Sequence, residues 1–217
     1  MYKMSDLLDL THTLAKDYLS KVDNPWEVLP SIKDIVLDIG LHLDSSFVEI
    51  KPQVWVHDTA RIAETVFIGS PAIIGAGTEI RHCAFIRGSA LIGEECVIGN
   101  SVEIKNVIVF DCVQVPHFNY VGDSILGYKS HLGAGAIISN IKADKTNVVI
   151  NGEEKIDTGL RKMGAIVGDY VEIGCNCVLN PGTMIGRYTT IYPLSNVRGV
   201  VPPDSIYKKE GVVVLKK

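Results

Sequence analysis

The chain has 217 residues, 47% hydrophobic and 21% charged, with a formal net charge of -4. This composition supports a packed core, excludes a disordered chain, and argues against nucleic acid as the main ligand, because phosphate backbones select basic faces. The odd set Cys83, Cys96, Cys112, Cys175 and Cys177 has no C-x-x-C pair, the chain has no signal-like start, and no run reaches roughly 20 apolar residues. These features predict a reduced, soluble, cytoplasmic protein without membrane contact.

Residues 1–45 carry helical spacing. Leu7, Leu8, Leu10, Leu14 and Leu19 fall largely on one face, and Asn24-Pro25-Trp26-Glu27 reads as cap, first-turn proline and capping-box glutamate. Two short helices are expected there, covering the first coil of a downstream repeat, since an end coil exposes apolar edge strands. A partner-binding segment or the linker of a lost domain is the alternative.

Residues 46–205 follow a different period. Val56, Ile62, Ile68, Ile74, Ile80, Ile86, Ile92, Ile98 and Ile104 recur at every sixth position, many followed by glycine or alanine, and Val167, Ile173, Leu179, Ile185, Ile191 and Val197 restart the series. An even period keeps one face inward in every hexad, and three hexads close a triangular coil of about 18 residues. The fold class is an all-β solenoid of hexapeptide repeats, because the strands of a β-sandwich come at irregular spacings.

The repeat is disturbed in three places. Arg87 and Lys105 are one coil length apart, and both occupy the position after the inward aliphatic where small residues are usual, so they should stack on adjacent coils. Like charges that close call for an anion, such as a phosphate, between them; splayed, solvated side chains are the other reading. Between Phe110 and Leu126 the register slips, with His117 inside the fault. His117 is a candidate general base and equally a surface or packing histidine. From about 140 to 165 the period is lost in a loop rich in basic residues (Lys142, Lys145, Lys155, Arg161, Lys162), projecting from the coil as functional loops do. Residues 206–217 form a short basic tail. There is no glycine-rich phosphate loop, dinucleotide fingerprint or G-x-S-x-G. A zinc site like that of hexapeptide-repeat carbonic anhydrases would use His82 and His117 but finds Gly122 where its third ligand should be, so no metal is expected.

Segments 84–99 (AFIRGSALIGEECVIG), 101–105 (SVEIK), 117–123 (HFNYVGD) and 132–140 (LGAGAIISN) resemble the acetyltransferase domain of the bifunctional enzyme that makes UDP-N-acetylglucosamine. Segment 157–182 (DTGLRKMGAIVGDYVEIGCNCVLNPG) resembles the related sugar-1-phosphate nucleotidylyltransferases with a C-terminal acetyltransferase domain. The resemblance, over roughly 55–205, implies a left-handed parallel β-helix, a homotrimer with sites between subunits, and acetyl transfer from acetyl-CoA to glucosamine 1-phosphate or galactosamine 1-phosphate. It implies His117 as general base, Arg87 and Lys105 as phosphate-binding residues, and Tyr120, Asn140 and Lys162 near the sugar. Ala134, Cys175 and Pro193 match positions that contact acetyl-CoA. His131 stands where bacterial members place a substrate-binding asparagine, and the loop after Asn140 is longer than theirs. Only residues 1–45 precede the repeat, where relatives carry a nucleotidylyltransferase domain, so a separate nucleotidylyltransferase is an expected partner. A non-catalytic trimeric module and an acyltransferase on another phosphorylated acceptor are the competing readings.

Overall fold

A computed structural model describes residues 2–208 and 211–216. Short parallel strands stack into a solenoid with three faces. The first face runs through Val54–His57, Ala72–Ile74, Ala90–Ile92, 107–109, 124–126, Ala165–Val167, Thr183–Ile185 and Val200–Val201. The second starts at Arg61–Ile62 and ends at Ser205–Tyr207, and the third runs from Phe67–Ile68 to Asn196–Val197. Each hexad aliphatic points inward: Ile74, Ile80, Ile86, Ile92, Ile98 and Ile104 are at most 1% exposed. An antiparallel hairpin covers one strand at each end, Phe47–Lys51 on Val54–His57 and Val213–Leu215 on Ser205–Tyr207.

The register slip is real but lies elsewhere than His117. Glu103 pairs with Phe85, a full coil length away, whereas Val107 pairs with Ala90, one position short of a full coil, so one residue is lost between Ile104 and Val107. The same loss recurs between Val121 and Ser124. At both places the corner shrinks to the pair Lys105-Asn106 or Gly122-Asp123, and the chain runs through as one strand, Glu103–Val109 and Tyr120–Leu126. The insertion falls at this same corner one coil later: Ile125 pairs with Ile166, more than two coil lengths further along the sequence. Within it Val149–Asn151 and Lys155–Asp157 form a hairpin. Val148, Ile150 and Met163 are fully buried. The expected projecting loop therefore folds back on the coil.

The N-terminal segment lies along the side of the solenoid. Its longest helix, Ile32–Gly40, packs along the first face against Ala72–Ile74, Ala90–Ile92 and Glu103–Val109. Further along the stack Asn106 Nδ2 donates to Leu29 O at 3.1 Å, Asp111 N to His12 O at 3.1 Å, and Asp169 N to Leu7 O at 3.0 Å. His12 stacks on Tyr128 with ring centroids 3.6 Å apart. The cause is the outward row of the first face. Trp55, Ile73, Leu91, Ile108, Ile125, Ile166 and Met184 lie in register, every one apolar and buried. The matching row of the second face reads Arg61, Glu79, Val97, Gln114, His131, Glu172 and Thr190 and stays open to water. An apolar stripe spanning the solenoid must be covered, and the helices cover it.

Candidate functional site

The residues singled out in the sequence gather on two neighbouring edges that flank the third face. The edge between the second and third faces is built from four-residue corners whose second residue is His82, Asn100, His117, Ala134, Cys175 or Pro193 in successive coils. Backbone bonds fix the stack: Gly135 N donates to His117 O at 3.0 Å, Asn176 N to Ala134 O and Leu194 N to Cys175 O, both at 2.9 Å. His117 is itself in register with Asn100. Its side chain is exposed, and its backbone N–H donates to Asn119 Oδ1 at 3.1 Å. Asn119, buried below it, donates to Gly133 O at 2.9 Å and Ala136 O at 3.1 Å, tying the His117 corner to the next. His117 thus shares a column with Ala134, Cys175 and Pro193.

The other edge, where the residues are lost and the insertion enters, holds the cations. Arg87 and Lys105 occupy adjacent coils, as their spacing predicts, with Arg87 N donating to Ile104 O at 2.8 Å. Their charges are already met. Arg87 Nη1 pairs with Glu103 Oε1 at 2.9 Å, and Lys105 Nζ with Asp123 Oδ2 at 3.3 Å. The anion that the stacked cations require is supplied by the protein's own carboxylates. Asp123 is the hub: its side chain, 7% exposed, also accepts from Asn106 Nδ2 at 2.9 Å and from Asn140 Nδ2. Its backbone O accepts from Gly164 N at 2.8 Å, where the insertion rejoins the coil. Sequence reasoning missed Glu103 and Asp123, although Asp123 stands one coil length after Lys105, the same interval that flagged Lys105 from Arg87.

Tyr120 lies between the two edges, on the third face. Burial holds its phenol above the usual pKa, and the negative charges of Asp123 and Glu103 add to the shift. Gly122 sits beneath it: a β-carbon there would meet Tyr120 Oη at 2.7 Å and Asn140 Nδ2 at 2.8 Å. Only glycine leaves room for both polar groups over the Lys105 edge. Lys162 is exposed and comes to this edge through its neighbour, since Met163 N donates to Asn140 O at 3.0 Å. His131 is not gathered in. It faces outward on the second face, with Nδ1 2.9 Å from Glu172 Oε2.

Among the described residues no helix is long and apolar enough to cross a membrane, and no group of three or more His, Cys, Asp or Glu side chains is placed to hold a metal ion.

Comparison with known proteins bears on this arrangement. The family described as the GMPPB C-terminal domain matches residues 84–160. The bifunctional sugar-1-phosphate nucleotidylyltransferase/acetyltransferase of Sulfurisphaera tokodaii is 32% identical over 203 residues, 87% of this chain and 51% of that protein. The bifunctional protein GlmU of Methanococcus maripaludis is 32% identical over 205 residues, 92% of this chain and 50% of its own length. The chain therefore spans about half the length of these relatives. Among solved structures, a point mutant of AntD, an N-acyltransferase from Bacillus cereus in complex with dTDP and coenzyme A, aligns over 75% of this chain and 80% of its own, with 15% identity and a TM-score of 0.44. At the identity and coverage of the first two, the chain is a homologue of the acetyltransferase-bearing, hexapeptide-repeat region of the bifunctional sugar-1-phosphate nucleotidylyltransferase/acetyltransferases.

Proposed function

We propose that the chain is an acetyl-CoA-dependent N-acetyltransferase whose acceptor is an amino-sugar 1-phosphate, glucosamine 1-phosphate or galactosamine 1-phosphate. One observation carries the reading: His117 shares a column with Ala134, Cys175 and Pro193 on one edge of the third face, Tyr120 lies on that face, and Lys105, Arg87 and Asn140 line its other edge. Acetyl-CoA lies along the column, and the sugar lies across the face, its amine toward His117 and its phosphate toward Arg87 and Lys105. His117 removes a proton from the amine as nitrogen attacks the thioester carbonyl. The Ala134 N–H, next in the column and donating to no acceptor among the described residues, faces the developing oxyanion. Collapse breaks the C–S bond, expels the thiolate of CoA and leaves the amide; no covalent enzyme intermediate is needed. The same reading includes a homotrimer with acetyl-CoA between subunits and a separate nucleotidylyltransferase as partner.

A thiol-release assay with acetyl-CoA against both amino-sugar 1-phosphates and their unphosphorylated forms tests it. Release with a phosphorylated sugar, lost in His117→Ala while sedimentation still reports a trimer, is the expected result. Equal rates in His117→Ala, or no release with any amino sugar, would overturn the assignment. Arg87→Ala is expected chiefly to raise KM for the phosphorylated sugar. One observation favours a second acceptor class: Glu103 and Asp123 already neutralise the two cations, so a larger phosphorylated acceptor could place its charge elsewhere on this edge.

A further inference from the structure

The Lys105 edge carries a second set of cations, in a different state from the first. Lys142, Lys155 and Arg198 line a cavity of about 690 Å³ between the insertion hairpin and the edge residues Ser139, Asn180 and Pro181. Lys142 is engaged, with Nζ 3.4 Å from Asp144 Oδ2 and 2.6 Å from Thr146 Oγ1. Among the described residues neither Lys155 nor Arg198 pairs with a carboxylate. Arg198 reaches only Asn180 Oδ1, at 3.5 Å. The cavity thus gathers three cations against the one carboxylate of Asp144, a charge imbalance that favours an anionic occupant.

Its position is as informative as its charge. Ser139 N donates to Leu179 O and Asn180 N to Val197 O, both at 2.9 Å, so the cavity begins beside Asn140 and extends over the next two coils. At the usual spacing between strands that is about 10 Å. Ile141, Val149 and Pro181 give it apolar walls. Its volume falls within the range of roughly 300–1,000 Å³ typical of small-molecule sites. We propose that this cavity is a nucleotide-phosphate subsite, in which Lys155 and Arg198 hold a phosphate chain and the apolar walls take the attached nucleoside.

Two ligands supply that chemistry: the phosphorylated adenosine end of coenzyme A, and the nucleoside diphosphate of a nucleotide-linked amino sugar. A nucleotide-linked sugar at Tyr120 and Asn140, the second acceptor class above, would direct its phosphates toward the cavity instead of toward Arg87 and Lys105. The choice of source rests on the acetyltransferase reading, whereas binding at the subsite does not. Calorimetric titration of the whole chain with adenosine 3′,5′-bisphosphate, UDP, inorganic pyrophosphate and uridine tests the proposal, with the Lys155→Ala/Arg198→Ala variant alongside. Both substitutions are at exposed positions, so the variant is expected to keep the parent's unfolding midpoint.

The expected result is that a phosphorylated probe binds more tightly than uridine, and that the double variant weakens it at least tenfold with a shallower dependence on salt. Loss confined to the adenosine bisphosphate assigns the site to coenzyme A; loss of UDP or pyrophosphate assigns it to the acceptor. No binding of any phosphorylated probe to the parent chain, or unchanged affinity in the variant, would overturn the subsite. Binding lost in the variant from a chain that releases no thiol would sink the acetyltransferase reading and leave the subsite standing.

Discussion

Replacing Asp123 with alanine removes the acceptor on which three donors of the Lys105 edge converge: Lys105 Nζ at 3.3 Å, Asn106 Nδ2 at 2.9 Å and Asn140 Nδ2. The Lys105 side chain, 19% exposed, cannot swing fully into water and is left without a counter-charge. Breaking a buried pair by deleting one partner costs about 3–5 kcal/mol, and the remaining exposure of Lys105 places the expected loss near the lower end, about 3 kcal/mol. Lys105→Met removes the stranded charge, so the double variant should be less destabilised than the two single changes summed, by about 2 kcal/mol. Urea unfolding followed by circular dichroism at one fixed protein concentration measures all four corners of the cycle without adding salt that would screen the pair. A loss under about 1 kcal/mol in Asp123→Ala, or strictly additive single changes, would refute the idea that Asp123 organises this edge.

The covered first face predicts that Ile108→Ala, outward-facing yet fully buried, costs about 2–5 kcal/mol in the same measurement, as for a core site. Val97→Ala, outward and half-buried on the second face, should cost less than about 1 kcal/mol, and equal losses would contradict the covering role of the helices. Tyr120, with its pKa raised in the folded state, contributes stability that is complete below the unfolded value of 10.0 and is lost as pH rises through the folded one. The tyrosinate absorbance of Tyr120→Phe should therefore lack one late-titrating group. Gly122→Ala pushes a methyl against Tyr120 Oη and Asn140 Nδ2 and should raise the acceptor KM several-fold with little change in kcat; an unchanged KM would place the sugar elsewhere.

The solenoid was legible because each inward aliphatic recurs at every sixth position, and the stacking of Arg87 on Lys105 followed from the same arithmetic. The shortened corners were not, since losing one residue at Lys105-Asn106 shifts every later position without altering its composition, and the slip becomes visible only downstream, near His117. The covering of the first face was written in plain view as the triads Ala72-Ile73-Ile74, Ala90-Leu91-Ile92 and Val107-Ile108-Val109, apolar on both sides of the strand where other hexads alternate. Of the candidate site residues, the stacking of His117, Ala134, Cys175 and Pro193 in one column was hidden by the shortened corner at Gly122-Asp123 and by the insertion, which make the steps between them unequal. The partners of Arg87 and Lys105 needed the register at residue resolution, as did the pairing of His131 with Glu172 across the coil.

Solenoids ordinarily behave as one-dimensional stacks in which each coil answers only to its neighbours and the ends can fray independently. Here Asp9 N donates to Asp169 Oδ2 at 2.7 Å across 160 positions of sequence, while the helix Ile32–Gly40 rests on coils near the other end of the stack. The segment stitches distant coils to one another, so local fraying in the middle of the stack must also peel away part of a continuous strap. Such a chain should melt as a single unit with few partly unfolded states, and its folding should be slow for its size, because the N-terminal segment can anchor only after the coil containing Asp169 exists. A break anywhere along the strap would return the molecule to the behaviour of a simple stack.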